Sequence, residues 1–311
     1  MEKDLNIAVI VPCHNEALTI GGVIDGFRSA VEGITVYVYD NASTDDTVEV
    51  AKAHQAVVRM ERARGKGNVV RRMFADIEAD IYVMVDGDGT YDPESLKKMI
   101  DLLLSERCDL VTGHRIEQHH QAYRFGHRLG NRLLANLARL LFGRSSIDLL
   151  SGYRVMSRRL VKSFPAISSG FEIETELTIH ALSLNLPMVE VDTPYRERPD
   201  ESASKLNTYR DGVRILSTIV LLTKEERPFF FFTALAALLT LLSLSLGVPV
   251  TFEFFETGLV ERFPTAILAA SIMLLAFLSL VTGMILDSVA RGRREVKRLA
   301  YLQLPWLSKK D

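Results

Sequence analysis

Ile81-Tyr82-Val83-Met84-Val85-Asp86-Gly87-Asp88 decides how the rest of the chain is read. Its first five residues are an apolar run rich in β-formers, which predicts a strand buried on both faces of a parallel sheet. Two carboxylates one residue apart follow at the carboxyl end of that strand, and the glycine between them lets backbone come close to a ligand. Hard oxygen donors in this arrangement suit Mg²⁺ or Mn²⁺, and a metal held by Asp86 and Asp88 would in turn hold a diphosphate. The same triplet also fits an Asp-Gly turn with solvated carboxylates, so the flanking sequence has to discriminate.

Upstream, Asn6-Ile7-Ala8-Val9-Ile10-Val11 predicts a first buried strand, with Pro12-Cys13-His14-Asn15-Glu16 as the loop at its carboxyl end. Ile20, Val23, Ile24 and Phe27 follow at helical spacing. A second strand is expected over 34–39, ending at Asp40, and Asn41-Ala42-Ser43-Thr44-Asp45-Asp46-Thr47 supplies turn and N-cap residues for the next helix. A third strand is expected over 56–59, after which Arg64-Gly65-Lys66-Gly67-Asn68 leads into a helix through Val69, Val70 and Met73. Downstream, Asp92-Pro93-Glu94 provides an N-cap, a first helical position and an acidic first turn for a helix to about 105. A strand over 109–112 then delivers Gly113-His114-Arg115.

Strands alternating with helices imply a parallel sheet of βαβ units, and such sheets bind ligands at strand carboxyl ends, near the switch in strand order. Asp40, Lys66, Asp86 and Asp88 are therefore expected to converge on one crevice. There Asp40 can accept hydrogen bonds from a base or ribose, and Lys66 can neutralise phosphate. Gly65-Lys66-Gly67 lacks the spacing and the following Ser or Thr of a Walker loop, and taken alone it also fits an exposed turn.

The 311 residues suffice for one large or two modest domains, and a formal net charge of -2 argues against bulk nucleic-acid binding. Cys13 and Cys108 are the only cysteines, which excludes a disulfide framework. Nothing before Asn6 reads as a signal peptide, so both thiols are expected to be reduced in the cytosol. From about residue 224 the composition changes. Runs over 229–248 and 264–286 are apolar, uncharged and long enough to cross ~30 Å of hydrocarbon. Lys224 and Arg227 precede the first run, and Arg291, Arg293, Arg294, Lys297 and Arg298 follow the second. Glu253, Glu256 and Glu261 fall in the expected loop between them. The positive-inside rule then puts both chain ends in the cytoplasm of a multi-pass membrane protein.

Taken in order, Pro12-Cys13-His14-Asn15-Glu16, Asp40-Asn41-Ala42-Ser43-Thr44-Asp45-Asp46-Thr47, Gly65-Lys66-Gly67 and Asp86-Gly87-Asp88 resemble the signature of family 2 glycosyltransferases of the GT-A fold. The resemblance is strongest to the branch that transfers a sugar onto a dolichyl or undecaprenyl phosphate. It implies an α/β, Rossmann-like, mostly parallel GT-A catalytic domain over 1–204, a juxtamembrane amphipathic helix over 205–228, a two-helix transmembrane hairpin over 229–287 and a basic tail over 288–311. It also implies that Pro12, Asn15, Glu16 and Asp40 line the nucleoside pocket with Lys66 nearby, and that Asp86 and Asp88 hold Mg²⁺ or Mn²⁺. Arg115 matches an arginine that meets phosphate in that branch. Asp148 lies in the acceptor-side motif Asp148-Leu149-Leu150-Ser151-Gly152-Tyr153-Arg154, and Glu176 matches a recurrent glutamate. Glu172, Glu174 and Glu176 also fit a polar helix start favoured by the dipole. Thr193-Pro194-Tyr195-Arg196-Glu197-Arg198 and Ser202-Ala203-Ser204-Lys205 resemble the loop that closes over the donor diphosphate, with Glu201 standing where relatives often have glycine.

Arg124, Arg128, Arg132 and Arg139 recur at helical spacing beside Leu129, Leu133, Leu137, Leu140 and Leu141. A basic amphipathic helix of this kind suits the boundary with anionic lipid, and it also fits a solvated surface helix. His114, His119, His120 and His127 invite a metal reading, but their spacing alone does not show the convergent ligands and second shell that a Zn²⁺ site needs. The resemblance therefore implies transfer, with inversion, of one hexosyl residue from a UDP- or GDP-sugar to a polyprenyl phosphate. Arg198 and Lys205 would steady the leaving diphosphate, and Arg115 and Arg128 would grip the acceptor phosphate. Paired spans offer a surface for a homo-oligomer. Two alternatives stay open: a processive polysaccharide synthase, whose Gln-x-x-Arg-Trp context is missing around Trp306, and a membrane-anchored sugar-nucleotide binding or scaffold protein without catalysis.

Overall fold

A computed structural model describes residues 5–117, 148–196, 220–221 and 223–306. Seven strands form one sheet: β1 (Ile7–Cys13), β2 (Thr35–Asp40), β3 (Val57–Met60), β4 (Ile81–Met84), β5 (Leu110–Glu117), β6 (Arg154–Ser157) and β7 (Met188–Tyr195), in the order β3-β2-β1-β4-β6-β5-β7. The pairings β1 with β2, β1 with β4, β2 with β3 and β5 with β7 are parallel, while β6 is antiparallel to both β4 and β5. The expected mostly parallel α/β sheet is thus present. From β1 the chain winds outward through β2 and β3, then returns to lay β4 on the other side of β1. That reversal is the switch point, and the carboxyl ends of β1 and β4 flank it.

Both faces of the sheet are covered, which is why its strands read as continuous apolar runs. Alternate residues of β1 and β4 point to opposite cores. Val9, Val11, Ile81 and Val83 pack with Ile24 and Phe27 of α1 (Ile20–Ala30) and with Met99 and Leu103 of α4 (Ser95–Ser105). Ala8, Ile10, Tyr82 and Met84 pack with Val69 and Met73 of α3 (Lys66–Asp76), Leu160 of α5 (Arg158–Ser163) and Leu177 of α6 (Ile173–Ser183). Between β2 and β3, α2 (Thr47–Ala53) is short. The start of α4 is held by Asp92, whose Oδ2 accepts from Ser95 N at 3.1 Å and Ser95 Oγ at 2.9 Å.

Three elements differ from the sequence expectation. β6 and α5 lie in a stretch with no foreseen structure, and Thr193-Pro194-Tyr195, expected in a loop, form the end of β7. β7 is the edge strand of the sheet beside β5, where proline's missing N–H costs least.

The chain divides into two compact units, one of Met1–Ile215 with Lys297–Asp311 and one of Leu216–Val296. In the second, α7 (Pro228–Thr257) begins with proline in its first turn and ends at Gly258, whose φ of 70° gives a left-handed cap. It is followed by α8 (Phe263–Leu302). Both are long and apolar enough to cross a membrane. They meet through small residues: Ser243 Oγ donates to Ala269 O at 2.7 Å, Ser279 Oγ donates to Phe232 O at 3.2 Å, and a Cβ on Gly283 would lie 2.8 Å from Phe232 Cβ. Glu253 and Glu256, expected in the connecting loop, belong to α7, which extends past the apolar run.

In the first unit the end of α8 is built into the fold. Tyr301 OH donates to Asp109 Oδ2 at 2.9 Å, the Arg159 guanidinium lies 4.7 Å from the Tyr301 ring centre, and Trp306 Nε1 donates to Cys108 O at 3.3 Å.

Candidate functional site

Three loops at the carboxyl ends of β1, β2 and β3 are stitched to one another. Asn15, in the left-handed conformation at φ 56°, donates its N–H to Ser43 Oγ at 2.8 Å, and its Oδ1 accepts from Thr44 N at 2.8 Å. Glu16 N donates to Thr47 Oγ1 at 2.9 Å, and Ala17 N donates to Asp45 Oδ2 at 3.1 Å. Asp40 is buried and accepts from Ser43 N at 3.1 Å. Asn41 reaches the third loop by donating to Glu61 O and Ala63 O, and its Oδ1 accepts from Gly65 N at 2.7 Å. Pro12 pairs in register with Tyr39.

The carboxyl end of β4 docks on this platform. Thr19 Oγ1 donates to Gly87 O at 2.6 Å, and a Cβ on Gly87 would lie 2.8 Å from Cys13 Sγ, so only glycine admits this approach. Asp88 is buried, and its Oδ1 accepts from Thr90 N at 3.2 Å and Thr90 Oγ1 at 2.7 Å. Convergence has an electrostatic signature at Cys13: burial first, then the carboxylates of Glu16, Asp40, Asp86 and Asp45, push its thiol well above the usual range.

Asp86 is enclosed on two edges. Its Oδ1 meets the Lys66 ammonium, and its Oδ2 faces Gly152, on which a Cβ would lie 2.6 Å away. Lys66 is nearly buried and also pairs with Glu174 Oε1. Burial disfavours the ammonium, but Asp86 and Glu174 outweigh it and raise its pKa above the ordinary lysine value. Gly65, at φ 122°, and Gly67 lie against the carbonyls of Ser169 and Ser168, each 2.1 Å from where a Cβ would stand. Glu176 braces that covering loop by accepting from Ile167 N at 3.0 Å and Ser168 N at 2.8 Å.

On the other flank, Arg115 donates Nε to Asp148 Oδ2 at 2.8 Å and Nη2 to Asp148 Oδ1 at 3.0 Å, and its guanidinium lies 5.6 Å from the Tyr195 ring centre. Beneath the 148–152 turn, Arg154 is fully buried and donates to Ser151 O, Thr178 Oγ1 and Leu149 O at 2.8, 2.7 and 3.1 Å. Gly152 N donates to Tyr91 OH at 2.8 Å.

Asp40, Lys66, Asp86 and Asp88 therefore come from loops that meet at the switch point, with Asn15 and Glu16 in the same network. Arg115 and Asp148 pair with each other, while Glu176 turns its carboxylate to the backbone of the 166–170 loop. Arg124, Arg128, Arg132, Arg198 and Lys205 lie outside the described residues. Two residues were not singled out from sequence. Arg154 reads as an ordinary charge beside a short apolar stretch. Glu174 was one of three acids at a helix start; its one signal is that it shares a helical face with Thr178, one turn on.

Among the described residues no third His, Cys, Asp or Glu joins Asp86 and Asp88 in a metal cage. Two hard carboxylates still fit Mg²⁺ or Mn²⁺, which commonly take one or two protein carboxylates and complete their shell with substrate phosphate and water.

Residues 8–164 match the family model described as glycosyl transferase family 2. Glycosyltransferase AglJ of Haloferax volcanii is 33% identical over 96% of this chain and 98% of its own length. A dolichyl-phosphate hexose transferase of the same organism is 30% identical over 71% of this chain and 96% of its own. Among solved structures, glucosyl-3-phosphoglycerate synthase from Mycobacterium tuberculosis, in complex with Mn²⁺, UDP-glucose and phosphoglyceric acid, superposes with a TM-score of 0.56 at 27% identity, covering 69% of this chain and 79% of that one.

Proposed function

The chain belongs to glycosyl transferase family 2, and on that premise we propose that it moves a single hexosyl residue from a nucleotide sugar to a polyprenyl phosphate at a membrane surface. The observation that carries this is the pairing of one crevice, built on Asp86 and Asp88, with two helices long and apolar enough to span a bilayer. Likeness along 71% of the chain to a dolichyl-phosphate hexose transferase supports the same acceptor. The UDP-glucose and Mn²⁺ in the solved relative favour a UDP donor and a divalent metal.

In this mechanism Asp40, Asn15, Glu16 and Pro12 border the nucleoside, Lys66 serves the diphosphate, and Arg198 and Lys205 are assigned to stabilising it as it leaves. Asp86 and Asp88 hold Mg²⁺ or Mn²⁺, which when bound offsets the charge that develops on the departing nucleoside diphosphate. An oxygen of the acceptor phosphate attacks the anomeric carbon from the side opposite the leaving diphosphate, so the new C–O bond forms with inversion as the old one breaks. A phosphate monoester is largely ionised near neutral pH, and positioning matters more than a strong base. Arg115, fixed by Asp148, and Arg128 are assigned to that positioning, with Arg124 and Arg132 on the acceptor side, while Glu176 braces the loop over Gly65 and Gly67. Both chain ends lie in the cytoplasm, and the paired spans allow self-association.

A second reading has its own observation. The solved relative's name and complex point to a soluble phosphorylated acceptor, phosphoglyceric acid. Incubating the full chain in detergent with a panel of radiolabelled UDP- and GDP-hexoses, undecaprenyl or dolichyl phosphate, and Mn²⁺ tests the proposal. A mild-acid-labile glycolipid carrying one sugar is the expected product; a long polymer, or no lipid product from any donor in folded protein, would overturn it.

A further inference from the structure

An arriving metal ion meets an Asp86 carboxylate that is already engaged along two edges and only partly exposed. Gly152 backs one oxygen so closely that even a Cβ would stand 2.6 Å from it, and the ammonium of Lys66 occupies the other. An ammonium and a divalent cation repel one another, so the two compete for the Asp86 carboxylate. Direct ligation by Asp86 is therefore favoured when Lys66 moves off it.

The structure contains a place for it to go. Glu174 sits on the far side of Lys66, on the first turn of α6, and is 4% exposed. Its Oε1 already holds the ammonium, whereas its Oε2 is buried with no hydrogen-bond partner among the described residues. An unsatisfied buried carboxylate oxygen is costly, and a partner that reaches it in another state of the molecule accounts for its presence. A small rotation of the flexible lysine stem takes Nζ from Asp86 Oδ1 towards Glu174 Oε2, leaving the ammonium on both oxygens of one carboxylate. Thr178 Oγ1 donates to Glu174 O at 3.0 Å and accepts from the buried Arg154, so this turn of α6 is braced against the shift.

We propose that Lys66 is a displaceable internal cation at the metal site and that Glu174 is the positioning residue that receives it. With no metal bound, Lys66 holds Asp86 and balances its charge. When a divalent ion takes Asp86 and Asp88, Lys66 withdraws onto Glu174 and its ammonium becomes available to the diphosphate that the ion brings. Metal and nucleotide then bind in a linked order, because the first arrival frees a cation for the second. The inference rests on the assignment of Asp86 and Asp88 as metal ligands, and it is independent of the acceptor.

Two variants pull the exchange in opposite directions. Lys66→Met removes the competitor: Mn²⁺ alone should bind roughly tenfold tighter, while UDP at saturating Mn²⁺ should bind roughly tenfold weaker. Glu174→Gln leaves Lys66 with Asp86 as its one charged partner among the described residues, so Mn²⁺ alone should bind roughly tenfold more weakly, with Glu174→Asp restoring part of the affinity. Both are read by calorimetric titration of the full chain in detergent with Mn²⁺ and then UDP, with no acceptor present. Lys66→Met binding Mn²⁺ no tighter than wild type would overturn the exchange. Should that variant not fold, unchanged Mn²⁺ affinity in the isosteric Glu174→Gln would overturn it equally. Wild-type Mn²⁺ binding in Asp88→Asn would instead remove the metal assignment on which the exchange depends.

Discussion

Arg115 and Asp148 form a two-point pair, Nε to Oδ2 at 2.8 Å and Nη2 to Oδ1 at 3.0 Å, that ties the carboxyl half of β5 to the turn preceding β6. Burial alone would raise the Asp148 carboxyl, but the hydrogen bonds and charge of Arg115 outweigh it and hold the group below the ordinary aspartate value. Because the folded pKa is depressed, this stabilisation is complete above about pH 4 and is lost as pH falls through the folded value. Asp148→Asn should cost about 3 kcal/mol near neutrality by removing the carboxylate charge from this largely buried pair. That corresponds to a thermal midpoint roughly 6–12 °C lower in detergent, with a shallower loss below about pH 4 than wild type shows. A variant matching wild type at both pH values would deny the pair its structural role.

Gly152 tests the geometry behind Asp86. A methyl group at 152 would stand 2.6 Å from Asp86 Oδ2, so the carboxylate has to turn away. Gly152→Ala should reduce transfer about 100-fold through misplacement of the metal ligand, with the thermal midpoint down only a few degrees. Full activity in this variant would mean that the orientation of Asp86 is immaterial.

Glu176 separates two roles. Its carboxylate holds Ile167 N and Ser168 N, and that loop lies over Gly65 and Gly67. Glu176→Ala should raise KM for the nucleotide sugar roughly tenfold, as both acceptors that hold the covering loop are lost, and leave the acceptor KM near wild type. The opposite pattern would place the glutamate at the acceptor.

His180 gives a pH signature independent of the crevice. Burial, with a smaller push from Lys297, drives its pKa down to about 3. A depressed histidine stays neutral when folded and binds a proton when unfolded, so the stability it carries is present above about pH 6.5 and declines as pH falls towards the folded value. His180→Leu should flatten the decline in thermal midpoint across that window. An unchanged slope would show that other groups cause the acid sensitivity.

The sequence made β1 to β5 and α1 to α4 legible because apolar runs and turn chemistry are local signals. Asp86 and Asp88 were legible for the same reason, as carboxylates at the end of an apolar strand. β6 escaped notice because it opens with Arg154, a charge made tolerable inside by the carbonyls of Leu149 and Ser151, the hydroxyl of Thr178 and the nearby carboxylates of Glu174 and Asp148. β7 was not read as a strand at all, and Pro194 argued against one, since nothing local says that a strand will lie at the edge of its sheet. Lys66 was visible as a cation among glycines, but its partner Glu174 lies more than a hundred residues away. A pairing between such distant positions leaves no periodicity to read.

The identity of the acceptor is the central claim, and one competition tests it. Full-length protein in detergent receives labelled UDP-hexose, Mn²⁺ and equal concentrations of undecaprenyl phosphate and 3-phosphoglycerate, and the products are resolved by mass. The account predicts one hexose on the polyprenyl phosphate, loss of that product with EDTA or Asp88→Ala, and no labelled phosphoglycerate. Label on phosphoglycerate with the lipid untouched would contradict it.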